Sequence, residues 1–126
     1  MEEFTFQKEE RLCSPKTIEE LFASGESFLS YPIKVVFLKT EFRQAIPAQA
    51  AFTVSKRYFK RAVKRNILKR RMREAYRLNK ASFHQAIAAK ELHIAIMFVF
   101  IAKELVDYPI IEKAMILAFK KLLAKI

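Results

Sequence analysis

Residues 56–80 hold twelve Lys and Arg (Lys56, Arg57, Lys60, Arg61, Lys64, Arg65, Lys69, Arg70, Arg71, Arg73, Arg77, Lys80) against one acid, Glu74. Burying an unpaired charge costs more than packing can return, so such a block belongs on a surface with one apolar side turned inward. From residue 63 to 79 it contains neither Gly nor Pro, which makes a helix the expected element. The window carries a net +11, equal to that of the whole 126-residue chain, so everything outside it is formally neutral. Charge segregated in this way reads as an electrostatic footprint for a polyanion: nucleic acid, an anionic membrane surface or an acidic protein.

A wheel at 100° per residue sorts the two sides. Leu68, Met72, Ala75, Tyr76 and Asn79 fall on the side expected to face the core. Asn66, Lys69, Arg70, Arg73 and Arg77 lie within roughly 100° of one another on a second side. No carboxylate is expected among them. Lys69–Arg73 and Arg73–Arg77 are like-charge pairs four residues apart, each costing a few tenths of a kcal/mol, which a bound polyanion relieves. The planar Arg fork matches phosphate oxygens bidentately. A membrane-surface helix would need an exposed apolar face, and the modest apolar side here is required by the core.

The rest of the chain excludes several classes. A single Gly leaves no Gly-rich phosphate loop, since those need several glycines together. One Cys and two His cannot supply the four ligands of a structural zinc site. The lone Cys13 forms no intrachain disulfide and fits a reducing cytoplasm. Residues 1–10 are acidic, without the apolar core of a secretory signal. The longest apolar run, residues 94–102, is nine residues, well short of the roughly 20 that a spanning helix needs.

Hydrophobic residues make up 52% of the chain and include twelve Phe, enough for one packed domain over residues 1–126. Residues 1–13 read as a loosely ordered polar lead-in. Ser14-Pro15 opens a helix that Gly25 closes, with Ile18, Leu21 and Phe22 on its apolar side. Residues 27–40 are strand-like, with Pro32 marking an edge strand or two strand pieces. Residues 41–49 read as a connection and 50–55 as a short strand with Phe52 and Val54 on one face. After the basic helix, a separate shorter helix is expected over 82–90, capped by Ser82. Residues 92–101 are apolar enough for a buried central strand. Asp107-Tyr108-Pro109 opens a last helix, whose Ile111, Ala114, Met115, Ala118, Phe119 and Leu122 form a core-facing stripe. The expected fold is α+β: a single-domain two-layer sandwich in which helices pack on a central, mostly antiparallel sheet.

No catalytic constellation stands out. His84 and His93 read as structural, Cys13 as an inert thiol, and Glu19-Glu20 as solvated surface. Asp107 is the only Asp, and the glutamates are scattered, so no two-metal nuclease site is visible. The residues describe a binding protein. Phe22, Val36 and Phe52 read by spacing as core.

The run Lys64-Arg65-Asn66-Ile67-Leu68-Lys69-Arg70-Arg71-Met72-Arg73-Glu74-Ala75-Tyr76-Arg77 resembles the signature helix of the bacterial ribonuclease P protein component. Val54-Ser55-Lys56-Arg57 resembles that family's strand end, and the segment from Arg11-Leu12 through Phe22 and Gly25 its first helix. The chain departs from the family pattern at Ile67, in place of the second Arg of Arg-Asn-Arg, and at Ile18, where an aromatic is common. Between Lys56 and Arg65 it is about one residue longer and lacks the usual Gly.

The resemblance implies a signature helix set in a left-handed βαβ crossover, and the small protein subunit of a ribonucleoprotein that removes the 5′ leader of precursor tRNA. In that family the RNA subunit is the catalyst, with Mg²⁺ bound mainly by RNA. RNA-binding residues would be Lys56, Arg57, Arg65, Asn66, Lys69, Arg70, Arg73 and Arg77, and a leader cleft would use Phe22, Ser55 and Lys56. The expected partners are the ribonuclease P RNA and precursor tRNA, with no membrane and no obligate protein partner. The alternatives are a ribosomal or general structured-RNA-binding protein and, more remotely, an autonomous enzyme.

Overall fold

The computed structural model describes residues 10–40 and 46–126. Its elements run α1 (Pro15–Ser24), β1 (Glu26–Ser30), β2 (Ile33–Lys39), β3 (Ala48–Val54), α2 (Ala62–Ala89), β4 (Ile94–Phe100) and α3 (Tyr108–Lys125). The four strands form one sheet in the order β1-β2-β4-β3. The β1–β2 and β2–β4 pairs are antiparallel and β3–β4 is parallel. The expected α+β sheet with its parallel β3–α2–β4 crossover is therefore present. Pro32 separates two strand pieces, the second of the two readings of that region.

Side-chain alternation along the strands divides the interior into two parts. Ile94, Ile96, Phe98 and Phe100 of β4 join Ile33, Val35 and Phe37 of β2 in a large cluster closed by α2 and α3. All six residues of the predicted α3 stripe are buried in it. Ala95 and Met97, with Val36, point the other way and meet Leu12 and Leu21 in a smaller cluster. Thus α2 and α3 form the helical layer, and α1 partly covers the second face. β4 runs through the middle of the sheet with five consecutive buried residues, Ile94–Phe98, as its composition requires.

Gly25 ends α1 for a different reason than a left-handed cap, because its φ is −72°. A Cβ there would overlap the Leu21 carbonyl and come within 3.0 Å of the Phe37 carbonyl oxygen. The close approach of residue 25 to the last turn of α1, with β2 tight behind it, is what requires glycine. Ser14 does cap the helix start, its Oγ accepting from Thr17 N–H at 3.3 Å.

Two expectations are corrected. The basic helix does not stop near residue 79; α2 continues unbroken to Ala89, and Ser82 lies inside it. The core stripe Leu68, Met72, Tyr76 is continued by Lys80, Phe83 and Ile87. A lysine at a core position hid that continuity, and it can sit there because the buried Glu10 carboxylate pairs with its Nζ. The same contact removes Lys80, 3% exposed, from the surface charge to which the sequence assigned it.

Nor does a loose lead-in extend through residue 13. Residues 1–9 lie outside the described part, but Glu10 and Leu12 are buried and Leu12 N–H donates to the Ala50 carbonyl at 3.0 Å. This segment straps the outer edge of β3, with Glu10 on the α2 side and Leu12 on the α1 side. It occupies main-chain groups that an edge strand would otherwise leave open.

Candidate nucleic-acid interface

The long axis of α2 carries the charge. Its inward side chains Leu68, Met72, Ala75 and Tyr76 are fully buried, which fixes the rotation of the helix and turns Asn66, Arg70 and Arg73 to solvent with Lys69 half-exposed. Asn66, Lys69, Arg70 and Arg73 line one surface groove of about 450 Å³ together with Val63 and Ile67. Lys69, Arg70 and Arg73 pair with no carboxylate among the described residues. Ile67, the departure from the Arg-Asn-Arg pattern, is one of the residues lining the groove and contributes no charge.

The remaining predicted residues are placed differently. Arg77 belongs to the same side of the wheel but is held bidentately by Glu74, Nε to Oε1 at 3.1 Å and Nη2 to Oε2 at 2.7 Å. That hydrogen-bonded pair lowers the Glu74 pKa and raises that of Arg77, so the face does carry one carboxylate, contrary to expectation. Arg65 Nη1 donates to the Phe59 and Lys60 carbonyls at 2.7 and 2.8 Å, and Arg71 Nη1 to the Val106 carbonyl at 2.7 Å. Asn79, expected on the core side, is half-buried and bonds the Ala75 carbonyl and Glu112. Lys56 and Arg57 are exposed in the turn after β3, where Arg57 N–H donates to Ser55 Oγ at 3.1 Å.

A second surface lies on the sheet face that α1 covers only partly. Strand register aligns Leu29, Lys34, Val99 and Thr53 in one row across all four strands. The adjacent row, Ser27, Val36, Met97 and Ala51, includes the residues on which α1 packs. Phe22 is 60% exposed, which removes the core reading for it. It lines a depression of about 240 Å³ with Gly25, Ser27, Lys34, Val36 and Val99. Val36 is buried beneath this depression. Phe52 is on the opposite face, stacked on Phe98 at 5.4 Å and edge-on to Tyr76 at 5.7 Å, and is a packing residue.

Sequence reasoning passed over Lys34, Tyr31, Tyr58 and Lys103. Lys34 alternates with Ile33 and Val35, a period-two signal that could have assigned it to the open face. Tyr31, in the turn between β1 and β2, is 70% exposed. Tyr58 gathers two cations, with Arg57 Cζ and Lys103 Nζ each 5.5 Å from its ring centroid. Lys103 comes from the loop after β4, and no local pattern announces that contact.

Each histidine has a hydrogen-bond partner within the fold. His84 Nε2 is 2.6 Å from Tyr76 Oη, which donates to it when the ring proton is on Nδ1, and Nδ1 faces Glu10 at 4.0 Å, beyond hydrogen-bond distance. Burial pushes its pKa down to about 4, against the pull of Glu10. His93 Nδ1 bonds the Ile46 carbonyl at 2.8 Å. Cys13 is an exposed thiol. Glu10, Glu74 and Glu112 are each engaged by side chains of this chain. Among the described residues no group of three or more His, Cys, Asp or Glu could hold a metal ion, and no helix is long and apolar enough to cross a membrane.

Comparison with known proteins gives one consistent result. The model of the Ribonuclease P family matches residues 6–125. Ribonuclease P protein components from two strains of Porphyromonas gingivalis are 37% and 39% identical, each alignment covering 89% of this chain and 82% of the relative. Among solved structures, the Staphylococcus aureus RNase P protein superposes with a TM-score of 0.70 at 20% identity, covering 91% of this chain and 96% of that one. The Thermotoga maritima RNase P protein gives 0.70 at 23% identity, covering 89% and 96%. At those identities the structures establish a shared fold, while the family model and the P. gingivalis relatives reach across the basic helix, the sheet and the first helix together. This chain therefore belongs to the ribonuclease P protein family.

Proposed function

We propose that this chain works in the cytoplasm as the protein subunit of ribonuclease P, binding the catalytic RNA subunit and the 5′ leader of precursor tRNA. The observation that carries the reading, beside family membership, is the groove on α2, where Asn66, Lys69, Arg70 and Arg73 converge with no carboxylate paired to the three cations. Such a groove holds phosphates through charge-assisted hydrogen bonds. Arg65 and Arg77 flank it, partly engaged by the protein itself. The leader would lie along the open row Leu29–Lys34–Val99–Thr53, with Phe22 as a stacking surface at one side and Ser55 and Lys56 at the end of β3 as backbone contacts. Stacking on an exposed aromatic tolerates any base, which suits a leader of varied sequence.

The chain assists and the RNA catalyses. Among the described residues no three or more His, Cys, Asp or Glu gather where they could hold a metal ion, and Glu10, Glu74 and Glu112 are engaged by Lys80, Arg77, Asn79 and Tyr108; the reading assigns Mg²⁺ to the RNA subunit. No obligate protein partner is needed. Two measurements test the proposal. RNA co-purifying with the chain from cells should be one abundant structured species, and reconstitution should cleave precursor tRNA only when that RNA and Mg²⁺ are both present. Ribosomal RNA in the pull-down would favour a general RNA-binding role, and leader removal by RNA-free protein would overturn the division of labour.

A further inference from the structure

Glu10 and Lys80 lie 70 residues apart in sequence and meet as an ion pair inside the fold, the lysine Nζ donating to the Glu10 carboxylate. Desolvation of the two charges offsets most of their attraction, so such a pair supplies a fixed geometry more than net stability. Here it fixes one end of the strap. From Glu10 the chain rounds the edge of β3: Arg11 bridges to Ala50, the Leu12 side chain packs with Leu21, Val36 and Met97, and Ser14 caps α1. Residues 10–14 therefore join the buried side of α2 to the first turn of α1. That helix depends on its anchors. It has ten residues, fewer than the roughly 12–15 at which an isolated helix begins to hold, and Leu21 is its one buried side chain. At its far end Gly25 fits against the Phe37 carbonyl. Phe22, beside Leu21, supplies the α1 wall of the depression that Ser27, Lys34, Val36 and Val99 line from the sheet.

We propose that Glu10 and Lys80 are positioning residues for the leader site: the pair seats the strap, the strap sets the tilt and roll of α1 across the sheet, and α1 sets Phe22 against Lys34 and Val99. The proposal rests on the reading of the chain as a ribonuclease P subunit and adds that a buried pair on the α2 side governs binding on the opposite face. Neither residue meets the substrate, because both are buried. The basic groove stands apart from the pair as well. Its lining ends at Arg73, and Lys80 lies two turns further along α2 on the inward side. What the leader site gains is preorganisation, since a stacking surface already in place costs no ordering when the substrate arrives.

The test replaces the pair by neutral side chains, Glu10→Gln with Lys80→Met, a change expected to keep most of the stability, and uses the full chain assembled with its RNA subunit. Affinity for leader-bearing precursor should fall about five- to tenfold, a part of what losing a stacked base costs. Affinity for leaderless substrate, binding of the RNA subunit and the cleavage rate at saturating precursor should stay at the parent's values. Adding Phe22→Ala should bring the loss to that of Phe22→Ala alone, because the pair acts through Phe22. A nitroxide on Cys13, the only cysteine of the chain and exposed between the strap and α1, should become more mobile in the neutral variant. Should that variant melt early, Glu10→Gln alone takes its place, measured at a temperature where circular dichroism shows it folded. An unchanged preference for leader-bearing precursor overturns the proposal. So do equal losses for both substrates, or a loss that multiplies with that of Phe22→Ala. A parent chain that does not bind the RNA subunit, or binds both substrates equally, overturns the functional reading instead.

Discussion

Lys80 and Lys69 lie on the same helix and carry the same charge, yet replacing them should have opposite consequences. The Lys80 side chain is 4% exposed and its Glu10 partner 10%, so Lys80→Ala leaves a carboxylate in the interior with its main counter-charge gone. Breaking one half of a buried pair costs about 3–5 kcal/mol, and losing the packed aliphatic stem adds to it. For a domain of this size each kcal/mol shifts the melting temperature by about 3–5 °C, so a drop of at least about 10 °C is expected. The double change Lys80→Met with Glu10→Gln removes both charges and should recover most of that loss. Lys69→Ala, the same formal change at a half-exposed position with no carboxylate partner, should stay within about 0.5 kcal/mol of the parent. Thermal melts of the four proteins at one pH and salt concentration, beside RNA titrations over a salt series, supply the comparison. Were Lys80→Ala to melt within a degree or two of the parent while lowering the salt dependence of RNA binding, Lys80 would be a surface cation and the reading of the strap would fail.

Lys69→Ala with Arg73→Ala should leave stability unchanged or raise it by tenths of a kcal/mol, since two repelling neighbours are removed; RNA-subunit binding should weaken, and the slope of log K against log salt should fall by one to two units on the scale of about 0.9 per phosphate. Phe22→Ala, at a position 60% exposed, should cost under about 1 kcal/mol of stability. It should lower affinity for leader-bearing precursor by about 1–3 kcal/mol, without effect on leaderless substrate; equal losses for both would remove it from the leader site. His84 has a folded pKa of about 4 against an ordinary 6.5, so the unfolded chain binds the extra proton first as pH falls. Its contribution is complete above pH 6.5 and is lost between 6.5 and 4, about 3 kcal/mol in all. A His84→Phe variant should show a flatter pH–stability curve over that interval, and an unchanged curve would mean that other groups govern it.

Much of the site was legible in the chain itself. The spacing of Leu68, Met72, Ala75 and Tyr76 determined which way the helix turns, and therefore that Asn66, Lys69, Arg70 and Arg73 share an outer face. The apolar run that became β4 and the stripe of α3 were equally explicit, because burial is written in periodicity and periodicity is local. What the wheel could not decide was which cations have partners. Arg77 stays near Glu74 on any helix, but Arg65 and Arg71 are engaged by carbonyls of loops whose paths depend on the whole fold. Lys80 was the sharpest case: a lysine reads as surface unless a carboxylate from the far end of the chain is folded against it, and Glu10 arrives only through the strap along β3. Phe22 shows the same limit from the other side, since helical spacing gave it a core reading and only the reach of α1 across the sheet left it open. Charge and periodicity are properties of neighbours in sequence, whereas pairing and exposure are properties of neighbours in space, and the tertiary structure alone supplies those.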